Sequence, residues 1–180
     1  MIELPYQTAD SPGIGGRIKT EARDFRVEEL PLYRPSGTGT HTYFGIEKTG
    51  LTTQQAVSRL AAALGKRPRD VGYAGLKDAR AVTCQTLSVE HVDPQRVERL
   101  DLPGIRIQWV DRHTNKLKLG HLAGNRFLIK IREVADPSLP GVEAVLAALT
   151  RRGLPNYFGP QRFGRRGDNA AIGRAALQGQ

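Results

Sequence analysis

Extended segments dominate the first 135 residues, and helical periodicity appears only between and after them. That distribution confines the chain to an α+β class, with a mixed, mostly antiparallel sheet flanked by helices. GRIKTEARDFRVEELPL (16–32) reads as two extended pieces around the TEARD turn, and in the second Phe25 and Val27 alternate with Arg26 and Glu28. HTYFGIEKTG (41–50) reads as a strand. TTQQAVSRLAAAL (52–64) is a helix with Thr52 or Thr53 as its cap, one stripe of Val57, Leu60, Ala61 and Leu64, and Gly65 at its stop. VGYAGL and AVTCQTLSVE are strands on either side of the KDAR stretch. Pro94 to Leu100 is a short helix, IRIQWVD (105–111) a strand, and NRFLIKIREV (125–134) a strand with Phe127, Ile129 and Ile131 on one face. GVEAVLAALTRRG is an amphipathic helix stopped by Gly153, and Asp168 caps a last helix.

With 180 residues the chain suffices for one domain, or for one domain and part of a second. No apolar run reaches about 18 residues, so no membrane span is expected. The N-terminus lacks the basic-then-apolar plan of a signal peptide, and Cys84 is the one cysteine, which together favour the cytoplasm. The net charge of +9 is unevenly placed: residues 1–111 carry 15 Lys and Arg against 14 Asp and Glu, and residues 112–180 carry 12 against 4. A basic region of that density suggests a polyanion partner, because phosphate contacts release counterions.

Several chemistries find no motif. The four histidines fall in no metal-ligand spacing, no G-x-x-x-x-G-K-[ST] loop is present, and GIGG (13–16) follows no strand. No metal and no nucleotide cofactor is expected. GYAGLKDARAVTCQ (72–85) is the stretch to explain. Asp78 is either a turn residue accepting backbone hydrogen bonds, or a reactive carboxylate at a strand end, kept ionised by Lys77 and Arg80 on a loop that a large ligand can approach. Spacing does not choose between the two.

A resemblance does. GYAGLKDARAVTCQ resembles the catalytic motif of the TruD family of tRNA pseudouridine synthases, close to AGxKDxxAxTxQ. IKTEARDFRVEE, HTYFGIEKTGLTT, KLKLGHLAGNRF and GLPNYFGPQRFGRRGDN resemble four further family blocks, in family order, between residues 18 and 169. The resemblance implies a pseudouridine synthase catalytic fold over residues 1–152 and the start of the family's inserted domain over 153–180. It implies isomerisation of a uridine, expected at position 13 of tRNA, with Asp78 as nucleophile; attack at C6 of uracil and attack at C1′ of the ribose both stay open.

By the same resemblance Lys19 pairs with the catalytic carboxylate, Phe127 stacks on the target uracil, Asn125 is a polar pocket residue and Phe25 supports the pocket. Each also has a plainer role: surface lysine, core aromatic, turn cap. Lys116, Lys118, Arg126, Arg162, Arg165 and Arg166 are the candidate phosphate contacts. Family members are longer, so the chain is expected to represent the N-terminal part of a monomeric enzyme, with a sheet edge left open. A non-catalytic RNA-binding module and an inactive fragment are the competing readings.

Overall fold

The computed structural model describes residues 6–11, 13–134, 139–155 and 167–179. In chain order the elements are β1 (Gly15–Arg17), β2 (Phe25–Pro31), β3 (His41–Thr49), α1 (Thr53–Leu64), β4 (Val71–Tyr73), β5 (Val82–Glu90), α2 (Pro94–Glu98), β6 (Ile105–His113), β7 (Leu122–Ile129), β8 (Arg132–Val134), α3 (Leu139–Arg152) and α4 (Asn169–Leu177). They divide into two units, residues 15–134 and residues 1–14 with 135–180. The described helices of the second unit are α3, followed by Gly153 at φ +77°, and α4, which begins directly after Asp168.

The unit from 15 to 134 is built on one mixed sheet in the order β6-β3-β5-β2-β7, with β4 also on β5. β3 lies antiparallel between β5 and β6, β2 runs parallel to β5, and β7 runs antiparallel to β2. One edge of β5 is shared: Val82–Cys84 pair with β2, and Leu87–Val89 pair with β4. The loop 74–81 therefore leaves β4 and returns to the start of β5 beside β2. This is an α+β architecture of the class the alternation predicts.

α1 forms for local reasons. The Thr52 side chain accepts the Gln55 amide, the Gln55 side chain accepts the Thr52 amide, and Gly65 closes the helix at φ +68°. Its apolar stripe of Ala56, Val57, Leu60, Ala61 and Leu64 is buried in one core with Phe44, Ile46, Leu87 and Val89 of the sheet. Burial of each such leucine stabilises the fold by about 1.5–3 kcal/mol. The helix thereby backs β3 and β5, the two strands whose ends carry Lys48 and the 74–81 loop.

The stretch 125–134 departs from the single strand that its alternation predicts. β7 begins earlier, at Leu122, and ends at Ile129. The Lys130 amide then donates to the Asp24 carbonyl at 2.7 Å, and the chain changes partner to pair with β1 as β8. Hydrophobic period reports that a segment is extended and is silent on which strand it pairs with. The change of partner is anchored by Arg132, whose guanidinium meets both oxygens of buried Asp24 at 2.7 Å.

Candidate active site

Asp78 sits in the loop between β4 and β5, half exposed, with 38% of its side chain accessible. Its Oδ2 accepts from Lys19 Nζ, and its Oδ1 accepts the Arg80 amide at 3.0 Å, an Asx-type turn bond. One oxygen thus shapes the turn and the other faces the ammonium of Lys19, whereas Lys77, expected beside the carboxylate, pairs with Glu29. The Lys19 hydrogen bond, with the Arg80 amide behind it, holds the carboxyl below the usual carboxylate range against a smaller opposing push from burial. Asp78 is therefore ionised at neutral pH.

Lys19 reaches it from an unusual backbone. It occupies the left-handed region at φ +57°, which non-glycine residues rarely adopt and which concentrates at functional sites. Its ammonium also lies 4.0 Å from the centroid of Phe25, and Phe25 meets Phe127 edge to face at 6.0 Å and 67°. The β2–β7 register explains the pair. Val27 stands opposite Phe127 and Glu29 opposite Asn125, so Phe25, Asn125 and Phe127 share one face of the sheet. Phe127 is not a core residue: 55% of it is exposed. The structure thus joins Lys19, Phe25, Phe127 and Asp78 through contacts, and places exposed Asn125 two residues along the same face.

Beneath the loop lies a frame with no counterpart among the predicted site residues. Lys77 and Glu29 form an ion pair at 2.7 Å with side chains only 3% and 1% accessible. Glu29 also accepts the Thr86 amide at 3.0 Å. The Lys77 amide donates to Thr53 Oγ1 at 2.9 Å, and Lys48 Nζ donates to the carbonyls of Asp78 at 3.0 Å and Leu51 at 2.6 Å. Glu29, Lys48 and Thr53 each fall within a quoted sequence block, which is the signal that could have found them.

The candidate phosphate contacts do not form one patch. Lys116 and Lys118 line an open groove of about 840 Å³ with Arg69, Gln54 and Tyr73, and the groove's described lining includes no Asp or Glu. Lys116 is fixed there by a 2.6 Å bond to the Arg69 carbonyl. The lining of this groove does not include Asp78. Arg126 projects to the sheet face opposite Phe127, as alternation requires, and pairs with Glu28 at 3.3 Å. Arg162, Arg165 and Arg166 lie outside the described residues. Among the described residues no cluster of His, Cys, Asp and Glu could hold a metal ion, and no helix is long and apolar enough to cross a membrane.

The site therefore combines an ionised, half-exposed carboxylate on a pinned loop with a lysine and an exposed aromatic face. Comparison with known proteins places the chain in a family. The family model for tRNA pseudouridine synthase D (TruD) matches residues 1–180, and the chain belongs to that family. The tRNA pseudouridine synthase D of Geobacter metallireducens is 57% identical over 98% of this chain, and that of Anaeromyxobacter dehalogenans strain 2CP-C is 49% identical over 100% of it. The chain spans 44% and 51% of those two relatives, about half their length. A crystal structure described as TruD from Methanosarcina mazei matches with a TM-score of 0.82 at 30% identity, over 98% of this chain and 41% of that one.

Proposed function

We propose that this chain carries the catalytic part of a tRNA pseudouridine synthase that isomerises a uridine, expected at position 13, with Asp78 as its nucleophile. The observation that carries this reading is the ionised Asp78 carboxylate held between Lys19 and the Arg80 amide beside the Phe25–Phe127 pair. Exposed Phe127 supplies a stacking surface for an extruded base, and Asn125 supplies a hydrogen-bonding amide on the same face. Asp78 attacks the uridine at C6 or at C1′, the N1–C1′ bond breaks, the uracil turns, C5 bonds to C1′, and the bond to Asp78 breaks so that the carboxylate is returned. C5 then loses its proton and N1 gains one, so the product has the composition of the substrate. An isomerisation of this kind balances without an external oxidant, reductant or cofactor.

Lys116, Lys118 and Arg69 in the acid-free groove supply phosphate contacts that offset the roughly few kcal/mol needed to extrude a stacked base. The enzyme is proposed to be cytoplasmic and monomeric. The test is pseudouridine formation by the full-length protein on a tRNA transcript, with Asp78→Asn in parallel. Product from the native protein and none from Asp78→Asn is the expected result. Product from both removes Asp78 as nucleophile, and product from neither removes the reaction.

A further inference from the structure

Lys48 is the lysine of the HTYFGIEKTGLTT stretch, and the reaction as proposed gives it no task. It occupies an interior strand, opposite Thr83 on one side and Ile105 on the other, and is 1% exposed. A residue that filled this place only for packing would be apolar, because an ammonium taken from water is costly unless its donors are satisfied. Lys48 spends its donors on two main-chain carbonyls. One belongs to Leu51, in the turn that leads into α1, and the other belongs to Asp78 itself. Thr53, at the start of α1, takes the amide of the preceding residue, Lys77. The 77–78 backbone is therefore held at an amide by Thr53 and at a carbonyl by Lys48, while Glu29 holds the Lys77 side chain.

We infer that Lys48 is the positioning residue for Asp78: its buried ammonium fixes the Asp78 carbonyl, and so aims the carboxylate at the site where Lys19 now meets it. The inference rests on the reading of Asp78 as nucleophile. It implies that the protein works only while Lys48 is protonated. Burial pushes the Lys48 ammonium down to about 8; the Asp78 charge opposes that shift, and the Lys77 charge adds to it. The other charged groups in this cluster are Glu29, which compensates Lys77, and Lys19, which compensates Asp78. The strand neighbours Thr83 and Ile105 are uncharged.

The sign of the linkage separates positioning from stability. Above about 8 the folded protein has released the Lys48 proton while the unfolded chain, near the ordinary 10.4, still binds one. That titration makes the fold more stable as pH rises. The rate falls over the same window, because the neutral amine no longer grips the Asp78 carbonyl with charge.

The test uses the full-length protein. The Lys48 side-chain nitrogen and the Asp78 amide are followed by NMR against pH, and single-turnover pseudouridine formation is measured from about pH 6 to 9. Lys48→Met and Lys48→Arg are run beside the native protein. We expect Lys48 and the Asp78 amide to titrate together near 8, with the single-turnover rate constant at saturating protein falling at the same point and the half-saturating protein concentration unchanged. Lys48→Met loses about 100-fold in that rate constant and its alkaline limb flattens, while Lys48→Arg, always charged, restores part of the rate. A Lys48 that titrates like a solvated lysine overturns the inference, as does a Lys48→Met protein with native rate constant and pH profile. If Lys48→Met fails to fold, coincidence of the native NMR and rate titrations decides. A native protein inactive on RNA refutes the proposed reaction instead, and the joint NMR titration then judges the positioning role alone.

Discussion

Glu29→Gln is the substitution whose consequence is best fixed by geometry. The change is isosteric and keeps an oxygen for the Thr86 amide, which now bonds Glu29 Oε1 at 3.0 Å. What it removes is the negative charge 2.7 Å from Lys77, whose side chain is 3% accessible and has no route to water without moving the loop. Breaking one side of a buried ion pair costs about 3–5 kcal/mol, because the remaining charge stays desolvated. Against a total stability of about 5–15 kcal/mol that loss is large but survivable. Urea unfolding followed by circular dichroism reads it directly: with a slope of about 2 kcal/mol per M, the midpoint falls by about 2 M. The double variant Glu29→Gln/Lys77→Met removes both charges and recovers most of the loss, since an apolar replacement of a buried pair is often neutral. A Glu29→Gln midpoint within about 0.3 M of the native one refutes the reasoning, because Lys77 is then solvated or compensated by another group.

Two further outcomes follow from the structure. Phe127→Ala removes a ring that is 55% exposed, so it lowers stability by no more than about 1 kcal/mol; kcat/KM falls by the equivalent of about 1–3 kcal/mol of base stacking, as steady-state kinetics checks. The Arg132 guanidinium beside Asp24 holds that carboxyl down to about 2. A depressed carboxyl contributes stability that is complete above its unfolded value of about 3.9 and is lost as pH falls through the folded one, so acid unfolding followed by fluorescence has a limb between those values that Asp24→Asn flattens.

Local features were legible in the chain where their causes are local. Thr52, Gln55 and Gly65 sit within one helix and announce it, and the alternation of β2, β3 and β6 follows from their own residues. The site was legible through the quoted blocks, which named Asp78 and Lys19, and the structure joins those two across 59 positions. The frame was not legible, because Lys48 and Thr53 reach residues 30 and 24 positions away, and no periodicity encodes such a pairing. Arg126 stands apart from the groove lysines and pairs with Glu28, and alternation alone places it on the face opposite Phe127. The break at Ile129 escaped for a third reason: both halves of 125–134 are extended, and only the partner changes.

Glu29, Lys77, Lys48, Lys19 and Asp78 meet at the 74–81 loop, and they divide by exposure into two tasks. Glu29 and Lys77 are sealed from water, and so is Lys48, so their bonds are costly to break and set the backbone. Lys19 and Asp78 keep 30% and 38% of their side chains accessible, and an ion pair in that setting is worth at most about 1 kcal/mol. The carboxylate is therefore held in place by groups other than the one that balances its charge. That separation suits a nucleophile. In the proposed reaction the covalent bond to Asp78 would consume its charge, and Lys19 would lose its counter-ion without any buried contact being broken. The ammonium still has the Phe25 ring 4.0 Å away. A nucleophile whose position depended on Lys19 would lose its alignment in the step that consumes its charge, whereas one positioned by Lys48, Thr53 and Glu29 keeps its alignment through the whole reaction.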